Sequence, residues 1–123
     1  MMPHRRSRPV RTRIKFPVEV RGSRQSFDAQ AHDVSVGGLC LSSPILLAID
    51  DRAGTTLHVP DEPGIPLSFE VRWARPEGTS RYLIGGEIVH TSESLKAMQR
   101  LMWQIDSGSV RGGEARTNAT GIP

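Results

Sequence analysis

Five arginines crowd the start of the chain, Arg5, Arg6, Arg8, Arg11 and Arg13, and twenty-two positions after Arg11 comes Asp33-Val34-Ser35-Val36-Gly37-Gly38. A guanidinium presents a planar fork of donors that fits phosphate oxygens, and its flat face stacks on aromatic rings. An aspartate accepts from N–H donors, a serine hydroxyl both donates and accepts, and a glycine lets a ligand approach the backbone. Together these types suit recognition of an anionic ligand that also offers hydrogen-bond donors. They also have plainer uses. Asp33, Ser35 and Gly38 suit a turn that ends a strand, because Asp and Ser bond nearby backbone and Gly permits positive φ. The arginines suit a solvated basic tail or a contact to nucleic acid.

Charge supports an anionic partner. Residues 1–24 hold eight Lys/Arg against Glu19 alone, a net of +7, whereas residues 25–123 hold eight against twelve acids, a net of −4. Such a local excess marks a nucleotide, nucleic acid or lipid headgroup as partner more than it marks a fold. Catalysis has little to stand on. No histidine sits beside a nucleophile with an orienting acid, no phosphate-cradling G-x-x-x-x-G-K-[ST] loop occurs, and the pairs Asp50-Asp51 and Asp61-Glu62 fall in turn-like stretches. His4, His32, His58 and His90 are too scattered for metal-ligand spacing, and Cys40 is alone, so neither a metal, a cofactor nor a disulfide is expected.

The elements that must position these residues are mostly strands. Phe16, Val18 and Val20 alternate with polar neighbours up to Gly22-Ser23; Phe27, Ala29 and Ala31 alternate with Asp28, Gln30 and His32; and Leu39-Cys40-Leu41 resumes after the glycine corner. Residues 42–54 read as a connector, Thr55 to Pro60 as a short strand, and Asp61-Glu62-Pro63-Gly64 as a turn. Leu67, Phe69, Val71 and Trp73 alternate most clearly, which predicts that Trp73 fills the core with them. Pro76-Glu77-Gly78 then turns the chain into a last strand over Tyr82 to His90. Short strands between regular turns predict an antiparallel barrel or sandwich.

The period then changes. Leu95, Met98, Leu101, Met102 and Ile105 share one face of a helix, Thr91-Ser92-Glu93 supplies its cap, and Gly108 lies beyond its end, with Trp103 expected at its edge. The 123 residues then divide into a flexible arm over 1–12, a domain over 13–106 and a disordered tail over 107–123. The longest apolar run, Ile45 to Ile49, is far short of the ~20 residues that span a bilayer, so membrane insertion is not expected and a cytoplasmic location is.

With these residues in hand, the sequence resembles the PilZ domain family. Asp33-Val34-Ser35-Val36-Gly37-Gly38 is similar to its D-x-S-x-x-G element, Phe16-Pro17-Val18-Glu19-Val20 to its first strand, Val71-Arg72-Trp73 with Gly85-Gly86 to its late hairpin, and the closing helix to its usual end. The resemblance covers roughly residues 5–106. It implies a six-stranded antiparallel barrel with a C-terminal helix that binds cyclic diguanylate (c-di-GMP) and signals to a downstream protein by ordering its arm. It also implies an R-x-x-x-R pair in the arm. Arg11 takes the second position, and the first falls on Ser7, flanked by Arg6 and Arg8. The implied ligand residues are Arg6, Arg8, Arg11, Asp33, Ser35, Gly37 and Gly38. The alternative implied by Ser7 is a PilZ-fold interaction module with weakened nucleotide binding. A barrel binding single-stranded nucleic acid is disfavoured by the shortage of aromatics.

Overall fold

Alternating apolar residues place one face of each strand on a shared interior, and closing the sheet on itself buries that face all round. The computed structural model describes residues 15–108 and shows such a closure. Its strands are β1 (Phe16–Arg21), β2 (Ser26–Val34), β3 (Gly38–Ser43), β4 (Arg52–Leu57), β5 (Ile65–Glu77) and β6 (Arg81–Val89), followed by α1 (Ser92–Asp106). All neighbours are antiparallel, in the closed order β1-β2-β3-β6-β5-β4. The expected arm and the residues 109–123 of the expected tail lie outside the described residues.

The core is one cluster. Phe16, Val18, Val20, Leu41, Leu57, Phe69, Val71 and Ile84 are buried inside the barrel, and α1 adds Met98, Leu101 and Met102 to the same cluster. The helix begins as its capping residues require: Thr91 accepts from the Ser94 amide at 3.1 Å while the Ser94 hydroxyl accepts from the Thr91 amide at 2.9 Å. Ser107 forms the C-cap and Gly108 turns away with φ 83°. Thr91→Ala is expected to cost about 1 kcal/mol, seen as a drop of roughly 4–8 °C in the thermal midpoint.

Three sequence expectations are corrected. The connector after β3 is shorter than 42–54, because Ser42 and Ser43 extend β3 and Arg52, Ala53 and Gly54 pair with Glu70, Phe69 and Ser68 as the start of β4, which ends at Leu57. Leu95 is solvent-facing at 36%, and Ser94 takes the buried place beside Met98. Trp73 does not fill the barrel. A bulge at Arg72 separates the pairs Val71↔Gly86 and Trp73↔Gly85, so the phase of β5 flips and the indole emerges outside, 38% exposed.

Candidate ligand-binding face

A second bulge does the same on β2. Ala31 pairs with Leu41 and Asp33 with Cys40, which leaves His32 as the extra residue. Ala31, Val34, Leu39 and Leu41 belong to the core, so Asp33 and Cys40 between them face outward. Cys40 in turn pairs with Gly85, and Gly85 with Trp73. Asp33, Cys40, Gly85 and Trp73 therefore form one outward row across β2, β3, β6 and β5. Three strand spacings of about 4.8 Å make the row ~14 Å long. An acid stands at one end, an indole at the other, and the small side of Cys40 and the bare backbone of Gly85 make the floor.

The indole lies down over that floor. A Cβ at Gly85 would stand 2.2–2.4 Å from the Trp73 ring, so only glycine lets the ring rest there. The Arg75 guanidinium carbon lies over the ring, 5.3 Å from its centroid. Further along, Ser42 donates to Glu77 at 2.7 Å and accepts from Arg81 Nε at 2.9 Å, and Arg81 also donates to the Ser42 carbonyl at 2.9 Å, which holds the β5–β6 hairpin on β3. Beside the row, Arg72 donates to Glu87 at 2.8 Å and Glu70 at 3.1 Å and sits 3.6 Å from Asp50. The hydrogen bond from Arg72, and then its charge, hold the Glu87 carboxyl below the usual carboxylate range. Three acids around one guanidinium leave Arg72 no net charge to offer an anion, so among the described residues of this face positive charge is left to Arg75 and Arg81.

Among the residues singled out in the sequence, Asp33 is half-buried at the head of the row. Ser35 is buried and closes a turn: its amide donates to the Gly38 carbonyl at 3.0 Å and its hydroxyl accepts from the Gly38 amide at 3.1 Å. Gly38 is required by the fold itself, since a Cβ there would stand 2.9 Å from the Gly86 carbonyl oxygen. Gly37 is exposed, with nothing within 4 Å of an added Cβ. Arg6, Arg8 and Arg11 lie outside the described residues. The chain enters β1 at Phe16, paired with Ala31 two residues before Asp33. Arg11 lies five positions before Phe16, so its Cα stands at most about 17 Å from that of Phe16. Trp73 and Arg75 are the face residues that alternation alone hides, because the bulge at Arg72 becomes visible only once the pairing partner is known.

Fold and face together define a small closed β-barrel followed by a C-terminal helix, with an acid and an indole at the two ends of one outward row. The chain belongs to the PilZ domain family, whose model matches residues 4–103. Among solved structures it is similar to the PilZ domain of CeSA from a cellulose-synthesizing bacterium, with a TM-score of 0.60 and 17% identity over 79% of this chain and 98% of that one. It is also similar to the Bacillus subtilis inhibitor of motility MotI/DgrA (TM-score 0.69, 14% identity, 88% of this chain and 57% of that one). A third likeness is to the K. pneumonia MrkH–c-di-GMP complex (TM-score 0.70, 16% identity, 83% of this chain and 53% of that one). This chain thus matches little more than half the length of MotI/DgrA and MrkH. Among curated proteins there is no match. No helix among the described residues is long and apolar enough to cross a membrane.

Proposed function

We propose that this chain is a non-enzymatic c-di-GMP receptor that passes the ligand's presence to a downstream protein. The observation that carries the reading is the outward row Asp33, Cys40, Gly85 and Trp73, with the arginine-rich arm joining β1 beside its acidic end. Asp33 suits the N1–H and N2–H₂ donors of a guanine, and a guanidinium from Arg11, with one from Arg6 or Arg8, suits O6/N7 or a phosphate. Trp73 offers its ring to a base at the place where the Arg75 guanidinium lies over it, so a base stacks there by displacing or sandwiching that side chain. Gly37 is open enough for backbone contact, and Ser35 keeps an acceptor lone pair beyond its bond to Gly38. The arm changes from free to held as it wraps the anion, and that change is the signal.

Calorimetry with c-di-GMP tests this, and micromolar affinity corresponds to about −8 kcal/mol. Absence of heat, and of any chemical-shift change at millimolar ligand, would sink the reading. Trp73→Ala is expected to weaken binding roughly five- to hundredfold, the ~1–3 kcal/mol of one base–aromatic stack, with little change in thermal midpoint because the ring lies outside the core. Amide exchange in residues 1–14 should slow at saturating ligand, and unchanged exchange there would remove the arm from the mechanism.

The second reading, an interaction module with weak nucleotide binding, draws on Ser7 and on the bonds Ser35 makes to Gly38, which give the motif a structural use without ligand. The same titration separates the two.

A further inference from the structure

Away from the trough, α1 and the segment joining β4 to β5 enclose a groove of about 350 Å³. Val59, Ile65, Ala97 and Leu101 give it an apolar lining, with Glu93 in the first turn of the helix, Arg100 further along it, and Glu62 on the facing segment. Glu93 and Arg100 are seven residues apart, two helical turns or about 10 Å. The groove is therefore apolar in the middle and of opposite charge at its two ends.

Its wall is hydrogen-bonded to the motif. Thr91 and Ser94 line the groove and are the two partners of the capping box. The His90 ring joins them to the 33–38 segment, with Nδ1 2.8 Å from Ser94 Oγ and Nε2 2.5 Å from the Val36 carbonyl oxygen. A carbonyl only accepts, so Nε2 carries a proton and donates. Val36 lies between Ser35 and Gly38, whose mutual bonds close that turn, and the next residue's carbonyl accepts from the Ile88 amide at 2.9 Å. A shift of the turn must pull on the ring or break its bond, and the ring holds the serine that caps α1.

We infer that this groove docks an amphipathic helix of a partner protein, and that His90 couples its occupation to the 33–38 turn. This occupant bears an apolar anchor between a Lys or Arg and an Asp or Glu two turns apart, matching Glu93 at one end and Arg100 at the other. Because coupling is reciprocal, filling the groove must also steady the turn.

The test displays random dodecapeptides against the full chain. Enriched sequences should carry an apolar anchor with a basic residue on one side and an acid on the other, bind at least tenfold more weakly to Ala97→Arg and to Glu93→Lys, and bind Trp73→Ala unchanged. No enrichment over the Ala97→Arg chain overturns the docking site. So does a dimer that Ala97→Arg dissolves, which makes a second copy the occupant, or peptide binding seen only after removal of residues 109–123, which makes that segment the occupant. For the coupling, a bound peptide should slow amide exchange at residues 35–38 in the natural chain and leave it unchanged in His90→Phe. Should the phenylalanine variant not fold, His90→Asn, whose amide reaches at most one of the two partners, takes its place. Equal protection with and without the imidazole overturns the coupling. None of these readouts needs c-di-GMP, so failure here and failure of the receptor reading are seen separately.

Discussion

Arg11→Ala is expected to weaken c-di-GMP binding ten- to hundredfold, while Arg13→Ala, two residues on, changes it little. One charge-assisted hydrogen bond contributes ~1.5–3 kcal/mol, which is that range of affinity. A diffuse electrostatic arm would instead give small and equal losses at both positions. The same titrations decide how the arm compensates for Ser7. If the chain slips by one residue, Arg6→Ala or Arg8→Ala should cost as much as Arg11→Ala, and Ser7→Arg should add little. If it does not slip, Ser7→Arg should strengthen binding by a similar ten- to hundredfold with both alanine changes silent. The slip is favoured because the sequence over Met1 to Thr12, with Pro3 and Pro9 and no apolar alternation, predicts no ladder to fix its register.

The largest effect on stability is expected at Gly86. An alanine Cβ there would stand 2.2 Å from the Glu70 carbonyl oxygen and 2.9 Å from the Phe69 ring, and neither can yield without opening the β5–β6 pair or the core. Overpacking of this kind costs about 3 kcal/mol, which should lower the thermal midpoint by more than ~10 °C. Gly85→Ala is the informative contrast. There the obstacle is the Trp73 indole, a side chain with solvent beyond it, so the ring should swing off its seat. Stability should fall by less than at Gly86, and c-di-GMP affinity should fall about as far as in Trp73→Ala. If both glycine variants melt alike and bind alike, the indole is not seated as described.

Period-two alternation makes β1, β2 and most of β5 legible, since apolar residues recur there at every second position over several repeats of the pattern. The helix was equally clear from Met98, Leu101 and Met102. What stayed hidden depends on partners distant in sequence. Ala53 is too small to announce a buried strand position, and it becomes one only against Phe69. A bulge leaves no composition mark, so Arg72 and Trp73 read as continuing the strand when they reverse it. Asp33 was legible as a candidate from the motif, but its place in a row with Trp73 follows from registers across three strand pairs. Gly38 has a use in the fold that the motif does not show: it makes room for the Gly86 carbonyl.

The pairing of β1 with β4 completes the ring of strands. An open sheet offers its outermost backbone amides and carbonyls to any extended chain that passes, and both aggregation and strand-addition recognition exploit that offer. Here every described strand has two neighbours over at least part of its length, and one-sided pairing is left to strand ends, Trp73–Glu77 of β5 among them. Most of the barrel is therefore read through side chains and the helix, surfaces that a substitution can alter one residue at a time. Such a surface can change its specificity without disturbing the hydrogen-bonded wall that keeps the domain folded.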